Sequence, residues 1–328
     1  CRLAQYNLGV AFLQSGHVDQ AIAQFQKTLE TDFADASVHY SLGNAFLQKG
    51  QLDEAMAQYR MALQFDPKHA QAHVNLGVAL FQQGRVDAAM EQYQAAVRAD
   101  PNYADAYYNL GNALFQKGKM DESVAEYRKA LAINPNYPEA HTNLGNALVQ
   151  MGRADEAVDE FQKALVINPT LTLALYSLGN ALVQEGLTDD AVAQYQKALE
   201  IDPNFAAIHN SLGNVFLQTG QIDKAITQYQ MALDINPNYA EAYNNLGGAL
   251  VKNGQIDQAI IQYQRALRIN PNLIGAHDSL GQAFLQNGKV DEAILQFQTA
   301  LRLNPNDTGA QSGLAQAETL ARQKPTQK

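Results

Sequence analysis

The chain has 328 residues, of which 33 are acidic and 23 basic, with a formal net charge of −10 and a single cysteine. This charge excludes the basic surface that binds nucleic acid, so no nucleic-acid partner is expected. One cysteine excludes a disulfide framework and a multi-cysteine metal site. No run of about 18 apolar residues is present, so no membrane insertion is expected. With no signal peptide visible, the cytoplasm is the favoured compartment.

The residue pair Leu-Gly recurs every 34 residues, from Leu8-Gly9 to Leu280-Gly281. Windows of 34 residues, named repeats 1 to 9 and numbered internally from place 1 to place 34, fill 2–307 without insertion or deletion. Their bounds are 2–35, 36–69, 70–103, 104–137, 138–171, 172–205, 206–239, 240–273 and 274–307. Such a period is typical of an elongated array in which each unit contacts only its neighbours.

Two helices are predicted in each repeat. Places 3, 4, 7, 8, 10 and 11 are mostly apolar or small and lie on one arc of a first helix, which the glycine at place 15 ends. Asp at place 18 is expected to cap a second helix, whose apolar stripe includes Ala at place 20 and an aromatic at place 24. Asn or Asp followed by Pro then ends that helix. Gly at place 8, for example Gly145, is expected to let the two helices approach closely.

This pattern resembles the tetratricopeptide repeat (TPR). The residues that carry the resemblance in repeat 4 are Leu110-Gly111, Gly118, Tyr127, Ala130 and Pro135, with equivalents across 2–307. The resemblance implies an all-α fold, a right-handed superhelix (TPR solenoid) of nine helix-turn-helix repeats whose first helices line a concave groove. Repeat 1 departs from the pattern, since Phe33 stands where the other repeats have Pro.

Two segments follow the repeats. Residues 308–323 keep Ala310, Leu314 and Ala317 at helical spacing but lose the later motif, which predicts a polar capping helix. Residues 324–328 are expected to form a disordered tail.

The opposite arc of the first helix carries places 2, 5, 6, 9, 12 and 13, and by the resemblance this arc, the groove face, lines the groove. It is rich in Asn, Gln and Tyr, with an apolar residue at place 12 of every repeat. The predicted peptide-binding residues are Asn7, Tyr40, Asn44, Asn75, Tyr108, Asn109, Asn112, Phe115, Gln116, Asn143, Asn146, Gln150, Tyr176, Asn180, Gln184, Asn214, Gln218 and Asn245.

An asparagine side chain offers two donors and an acceptor, so a row of them can bond the backbone of an extended peptide regardless of its sequence. The arrangement is similar to the asparagine ladder in the repeats of O-GlcNAc transferases. The alternative is a solvated polar face inherited by duplication of the repeat, but such a face does not require the apolar row at place 12. Since solvated asparagines can be replaced without loss, Asn112, Asn146 and Asn180 are expected to tolerate alanine.

No catalytic constellation, metal site or cofactor site is indicated. The five histidines at place 4 lie on the packing face, too far apart to share a zinc ion, and are expected to be core residues. The groove face carries Lys252 as its one basic residue, so the cationic clamp of chaperone-binding TPR domains is not expected.

Three hypotheses remain open. The first is a non-catalytic scaffold that binds extended peptide segments of a protein partner. The second is the substrate-recognition region of a larger enzyme, such as a glycosyltransferase, and the third is a self-assembling structural array. Because Cys1 rather than Met begins the chain, a cut or processed N-terminus is expected. If an upstream repeat has been removed, Leu8, Ala11 and Phe12 favour end-to-end association through repeat 1.

Overall fold

A computed structural model describes residues 2–323, and within this range it contains nineteen α-helices and no strand. The all-α class predicted from the sequence is therefore confirmed. Cys1 and the predicted tail 324–328 lie outside the described residues. By their internal contacts the residues fall into two compact units, divided between Pro169 and Thr170.

Unit one contains the two helices of each of repeats 1 to 5. They are α1 (Arg2–Gln14), α2 (Val18–Leu29), α3 (Ala36–Gln48), α4 (Leu52–Phe65), α5 (Ala70–Gln82), α6 (Val86–Ala99), α7 (Ala104–Gln116), α8 (Met120–Ile133), α9 (Pro138–Gln150) and α10 (Ala154–Ile167). The first helix of each repeat packs against the second, and each second helix up to α8 packs against the first helix of the next repeat.

Unit two contains repeats 6 to 9 and one further helix. They are α11 (Thr172–Gln184), α12 (Thr188–Ile201), α13 (Ala206–Gln218), α14 (Ile222–Ile235), α15 (Ala240–Lys252), α16 (Ile256–Ile269), α17 (Ile274–Gln286), α18 (Val290–Leu303) and α19 (Thr308–Gln323). The last helix packs on α18 and α17 and buries Ala310, Gly313 and Ala317. Asp307 accepts a hydrogen bond from the backbone N–H of Ala310 at its start. Each helix of residues 2–323 falls short, in length or in apolar character, of what a membrane crossing needs.

The helices end where the sequence predicts. Every glycine at place 15 has a positive φ, between 71° and 80°, which a residue with a side chain adopts only at a cost. At the end of the second helix of repeat 4, Asn134 is extended (φ −124°, ψ 91°), as a residue before proline should be. In repeat 1, where Phe33 replaces the proline, α2 is two residues shorter than the other second helices.

The prediction that Asp at place 18 caps the second helix is wrong. In repeat 1 the helix begins at Val18, one residue before Asp19, and the residue at its N-cap, His17, forms no side-chain capping bond. The aspartate lies in the first turn, where its charge still favours the positive end of the helix dipole.

In four repeats this aspartate instead bonds a side chain at place 14 of the next repeat. Lys49 contacts Asp19 at 2.7 Å, and Asn287 donates to Asp257 at 2.7 Å. Gln83–Asp53 and Lys117–Asp87 are the other two pairs. The pairs lie at the surface, so each adds little stability but links consecutive repeats.

The glycine at place 8 allows the closest contact in each repeat. A Cβ atom added to Gly145 would lie 2.5 Å from Cε1 and 2.8 Å from Cδ1 of Phe161, and the same clash occurs with the place-24 aromatic of the other eight repeats. Those aromatic rings are almost fully buried. The predicted packing role of place 8 therefore agrees with the structure.

The histidines at place 4 do more than fill the core. In all five, Nδ1 lies 2.6–2.8 Å from a Gln or Glu oxygen at place 23, and Nε2 lies near the backbone carbonyl at place 32 of the preceding repeat. His39, His141 and His277 are buried, whereas His73 and His209 are half-buried. The ring thus joins the linker between repeats to the second helix.

We expect Gly145→Leu to destabilise unit one by about 1–3 kcal/mol or more, because the new side chain overfills the contact with Phe161. Thermal unfolding followed by circular dichroism measures the change. Gly275→Ala is the matched control, since nothing lies within 4 Å of a Cβ at this helical glycine and alanine is the better helix former. An unchanged unfolding midpoint for Gly145→Leu would show that the packing role is wrong.

Candidate functional site

The groove face of repeats 3 to 5 contains a cavity of roughly 540 Å³ within unit one. Residues at places 6, 9, 12 and 13 line it, together with one place-24 tyrosine. They are Phe81, Asn112, Phe115, Gln116, Tyr127, Asn143, Asn146 and Gln150. Six of the eight belong to the predicted peptide-binding set, and Phe81 and Tyr127 are additional. None of the eight carries a formal charge at neutral pH.

Four of the five asparagines at place 9 accept a hydrogen bond from inside their own repeat. The hydroxyl of Tyr127 donates to Oδ1 of Asn112 at 2.7 Å. The same bond joins places 24 and 9 in repeats 2, 6 and 7. These pairs are Tyr59–Asn44, Tyr195–Asn180 and Tyr229–Asn214. Burial raises the pKa of Tyr127, so its hydroxyl stays protonated and remains a donor.

A second donor comes from the next repeat. Nδ2 of Asn143, at place 6 of repeat 5, donates to Oδ1 of Asn112 at 2.8 Å and to the hydroxyl of Tyr108 at 3.1 Å. Asn75 makes the same two contacts with Asn44 and Tyr40, at 2.9 and 3.4 Å. The place-5 tyrosine and place-9 asparagine of repeats 2 and 4 are therefore each bonded to an asparagine of the following repeat, and these bonds across repeat boundaries are called the asparagine ladder.

Unit two repeats this arrangement with substitutions. Nδ2 of Asn245 donates to Asn214 at 3.2 Å and to Asn210 at 3.0 Å. Ser211 donates to Asn180 at 3.5 Å, in place of an asparagine.

Tyrosines at place 5 contact the aromatic residue at place 34 of the same repeat, with the two rings tilted by 36–41°. The centroids of Tyr108 and Tyr137 are 4.9 Å apart, and Tyr176 and Phe205 are 5.3 Å apart. In repeat 2 the partner of Tyr40 is His69, at 4.7 Å. These ring contacts help to hold the hydroxyls of Tyr40 and Tyr108 beside the asparagine ladder.

Within each unit of residues 2–323, the remaining predicted residues form no hydrogen bond to a side chain of a neighbouring repeat. Asn7 is exposed, and Asn109 donates to the backbone carbonyl of Asp105 in its own helix at 2.8 Å. The glutamines at place 13 are exposed along the groove face. They include Gln116, Gln150, Gln184 and Gln218. The side chains at place 12, Phe115 among them, are half-buried.

Asn146 differs from the other place-9 asparagines. The residue at place 24 of its repeat is Phe161, which has no hydroxyl, and within residues 2–169 no side chain bonds the amide of Asn146. The sequence contains the signal for this difference, because Asn and Tyr fifteen residues apart mark each bonded pair and repeat 5 has Asn and Phe.

One of the five place-4 histidines contacts a carboxylate instead of an amide. Nδ1 of His141 lies 2.6 Å from Oε2 of Glu160, whereas the other four histidines face glutamine. Burial by itself raises the pKa of Glu160, but hydrogen bonds from His141 and Lys163 outweigh it and hold that pKa below its usual value. This contact lies on the packing face. Among residues 2–323, no group of three or more His, Cys, Asp or Glu side chains is placed to hold a metal ion.

The bonded amides change the expectation for alanine substitutions. Asn112→Ala leaves the buried hydroxyl of Tyr127 and an N–H of Asn143 without their acceptor, and we expect a loss of about 1–3 kcal/mol. Asn146→Ala breaks no bond within unit one, and we expect equal or slightly higher stability, by up to roughly 0.7 kcal/mol, from the helix propensity of alanine. Chemical denaturation of both variants measures the difference. Equal midpoints for the two variants would contradict the importance of the ladder.

A profile of the TPR repeat matches the chain nine times, at residues 9–50, 43–84, 78–118, 111–152, 145–186, 179–220, 213–254, 247–288 and 281–317. A search of curated protein sequences found no match to the chain.

Solved structures are similar in fold. The APC/C hetero-tetramer Cut9–Hcn1 has 17% identity and a TM-score of 0.66 over 95% of this chain and 75% of that chain. The pilF protein of Pseudomonas aeruginosa has 24% identity and a TM-score of 0.57, over 62% and 92%. YrrB, a TPR protein with an unusual peptide-binding site, has 25% identity and a TM-score of 0.47, over 56% and 95%. Because the profile matches extend over almost the whole sequence, the chain belongs to the tetratricopeptide-repeat family.

Proposed function

We propose that the chain is a non-catalytic protein–protein interaction scaffold that binds extended, largely uncharged peptide segments on its groove face. The observation that carries this proposal is the cavity of repeats 3 to 5, where amide groups and phenylalanine rings share one concave surface. Concave sites with apolar walls and a few polar groups are the usual form of binding sites.

The ladder leaves donors and acceptors for a ligand. Oδ1 of Asn112 is occupied by two donors, so its Nδ2 remains available to a peptide carbonyl. Both hydrogens of Nδ2 of Asn143 are used, so its Oδ1 remains available to a peptide N–H. A peptide group needs one donor and one acceptor, and these two residues offer them side by side.

The apolar part of the site is supplied by Phe81 and Phe115. Both line the cavity and are half-buried, so their remaining surface is available to a ligand. Covering such surface contributes about 25 cal/mol per Å². The hydrogen bonds would then set orientation and the rings would supply contact area.

Because no charged residue lines the cavity, we expect the affinity for a peptide to change little with salt concentration. Asp105 and Glu139, at place 2, are the acidic groove-face residues of repeats 4 and 5, and neither lines the cavity. Salt screens interactions between charges, and a site without charged residues has few such interactions with its ligand.

The hypothesis of a recognition region within a larger enzyme uses the same groove face. In that case the peptide bound in the cavity would be the substrate of a catalytic domain elsewhere. The binding test below applies to both, and the full-length gene product distinguishes them.

Exposed leucines in repeat 1 favour self-association as a second candidate. Leu8 occupies place 7, which is buried in the other eight repeats, yet it is 45% exposed. Leu3, on the same helix, is 66% exposed. Apolar surface of this kind is characteristic of interfaces, and a second copy of the chain could cover it.

For peptide binding, we expect an array of peptides of varied sequence to retain extended uncharged segments, with little change between low and high salt. Asn146→Ala should weaken the selected peptides roughly two- to tenfold, since one hydrogen bond contributes about 0.5–1.5 kcal/mol. Fluorescence anisotropy measures the affinity. Gln94→Ala, an exposed glutamine on α6 outside the cavity, is the control. Normal binding by both variants would place the peptide elsewhere.

For self-association, we expect the weight-average mass to rise with concentration in sedimentation equilibrium. Leu8→Glu should abolish this rise, because a charge opposes burial of the surface. Leu295→Glu, at an exposed position of repeat 9, should leave it unchanged. A wild-type protein that remains monomeric at all concentrations would rule out this candidate.

A further inference from the structure

The asparagine ladder is interrupted at the cavity. Repeat 5 combines Asn146 at place 9 with Phe161 at place 24, whereas repeats 2, 4, 6 and 7 combine asparagine with tyrosine. Phe161 is fully buried against Gly145, in the position that the tyrosine rings occupy in those repeats. The missing hydroxyl is therefore the only chemical difference at this contact.

This difference changes what the amide can offer. The tyrosine hydroxyl and the asparagine of the next repeat hold Oδ1 of Asn112, so that residue presents donors only. Neither Oδ1 nor Nδ2 of Asn146 is bonded to another side chain of unit one. Its side chain can therefore turn either group toward a ligand. It is the one place-9 asparagine of unit one with this freedom.

The surroundings of Asn146 match its dual character. Oδ1 of Asn143 is available as an acceptor and Nδ2 of Asn112 as a donor, and both residues line the same cavity. Gln150, one turn after Asn146 on α9, adds a further exposed amide. Phe115 provides an apolar wall against which a planar group and its methylenes can lie.

We propose that the cavity at Asn146 is a subsite for a carboxamide side chain, that of glutamine or asparagine, in the bound peptide. This proposal rests on the proposed function of peptide binding. A carboxamide carries both donors and acceptors, so it can pair with Asn112, Asn143 and Asn146.

Other side chains pair less well. A carboxylate only accepts, so it faces the oxygen of Asn143 unfavourably and loses solvation in a cavity without a cation. An alkyl side chain leaves the amides without partners, and sites built for hydrogen bonds discriminate strongly against such ligands. The subsite should therefore prefer glutamine to both glutamate and leucine.

The substitution Phe161→Tyr tests directly whether the unbonded Oδ1 of Asn146 creates the preference for a carboxamide. The new hydroxyl should donate to Oδ1 of Asn146, as Tyr127 does to Asn112, and convert Asn146 into a donor-only residue. Because repeats 2, 4, 6 and 7 already accommodate tyrosine at this place, the variant should fold with equal or higher stability. Phe25→Tyr is the matched control, since it adds the same hydroxyl in repeat 1, where place 9 is Val10.

The probes are Gly-Ser peptides with a single central Gln, Glu or Leu, acetylated at the N-terminus and N-methylamidated at the C-terminus so that neither end carries a primary carboxamide. Titration of ¹⁵N-labelled protein is followed by the side-chain amide signals, with that of Asn146 assigned from the Asn146→Ala variant. We expect the Gln peptide to shift this signal and to bind about tenfold more tightly than the Glu and Leu peptides, as one or two hydrogen bonds would produce. Phe161→Tyr should reduce this preference to roughly twofold, and Phe25→Tyr should leave it intact.

The contrary results are distinct. Equal binding of the three peptides, with shifts in the groove-face amides, would overturn the carboxamide subsite and leave peptide binding standing. A preference that survives Phe161→Tyr would show that the open acceptor of Asn146 is not its cause. If no peptide shifts any groove-face amide, both the subsite and the proposed function fail.

Discussion

The contact between the glycine at place 8 and the aromatic ring at place 24 sets the distance between the two helices of every repeat. Because no Cβ intervenes, the ring of Tyr127 lies directly on the backbone of α7 at Gly111. Its hydroxyl then reaches the groove face and meets Asn112. The ring carbons therefore belong to the core and the hydroxyl to the candidate site, so phenylalanine in place of tyrosine changes the site while the same ring contact with glycine is kept.

The hydrogen bonds of the asparagine ladder connect a repeat to the one that follows it. Asn143 contacts Asn112 and Tyr108 of the preceding repeat, so the orientations of these three side chains depend on one another. Removing a shared acceptor leaves buried donors unpaired, which costs more than one hydrogen bond contributes. The histidine contacts and the aspartate pairs also cross repeat boundaries, at other places and partly at other boundaries, so three kinds of polar contact accompany the apolar interface.

Much of this could be predicted from the sequence, since the repeat length, the two helices, the glycine turns and the groove face all follow from periodicity and backbone preferences. Periodicity indicates which face a side chain occupies, but not which of its atoms is already bonded. For that reason Asn112 was expected to be solvated, although its oxygen is held by two donors. The aspartate cap was misplaced because helix starts are defined by backbone geometry, and Asp19 suits the first turn as well as the cap.

The bonded set within unit one does not recur at every repeat. It appears in repeats 2 and 4, so that each member has an equivalent 68 residues later, and it is absent from repeat 3, where place 9 is Val78. The structural unit of the backbone is thus one repeat, whereas the unit of the polar ladder is two. Loss of repeat 4 alone would bring Asn143 against Val78 and leave its amide without an acceptor. Loss of repeats 3 and 4 together would instead bring Asn143 against Asn44 and retain the bond between places 6 and 9.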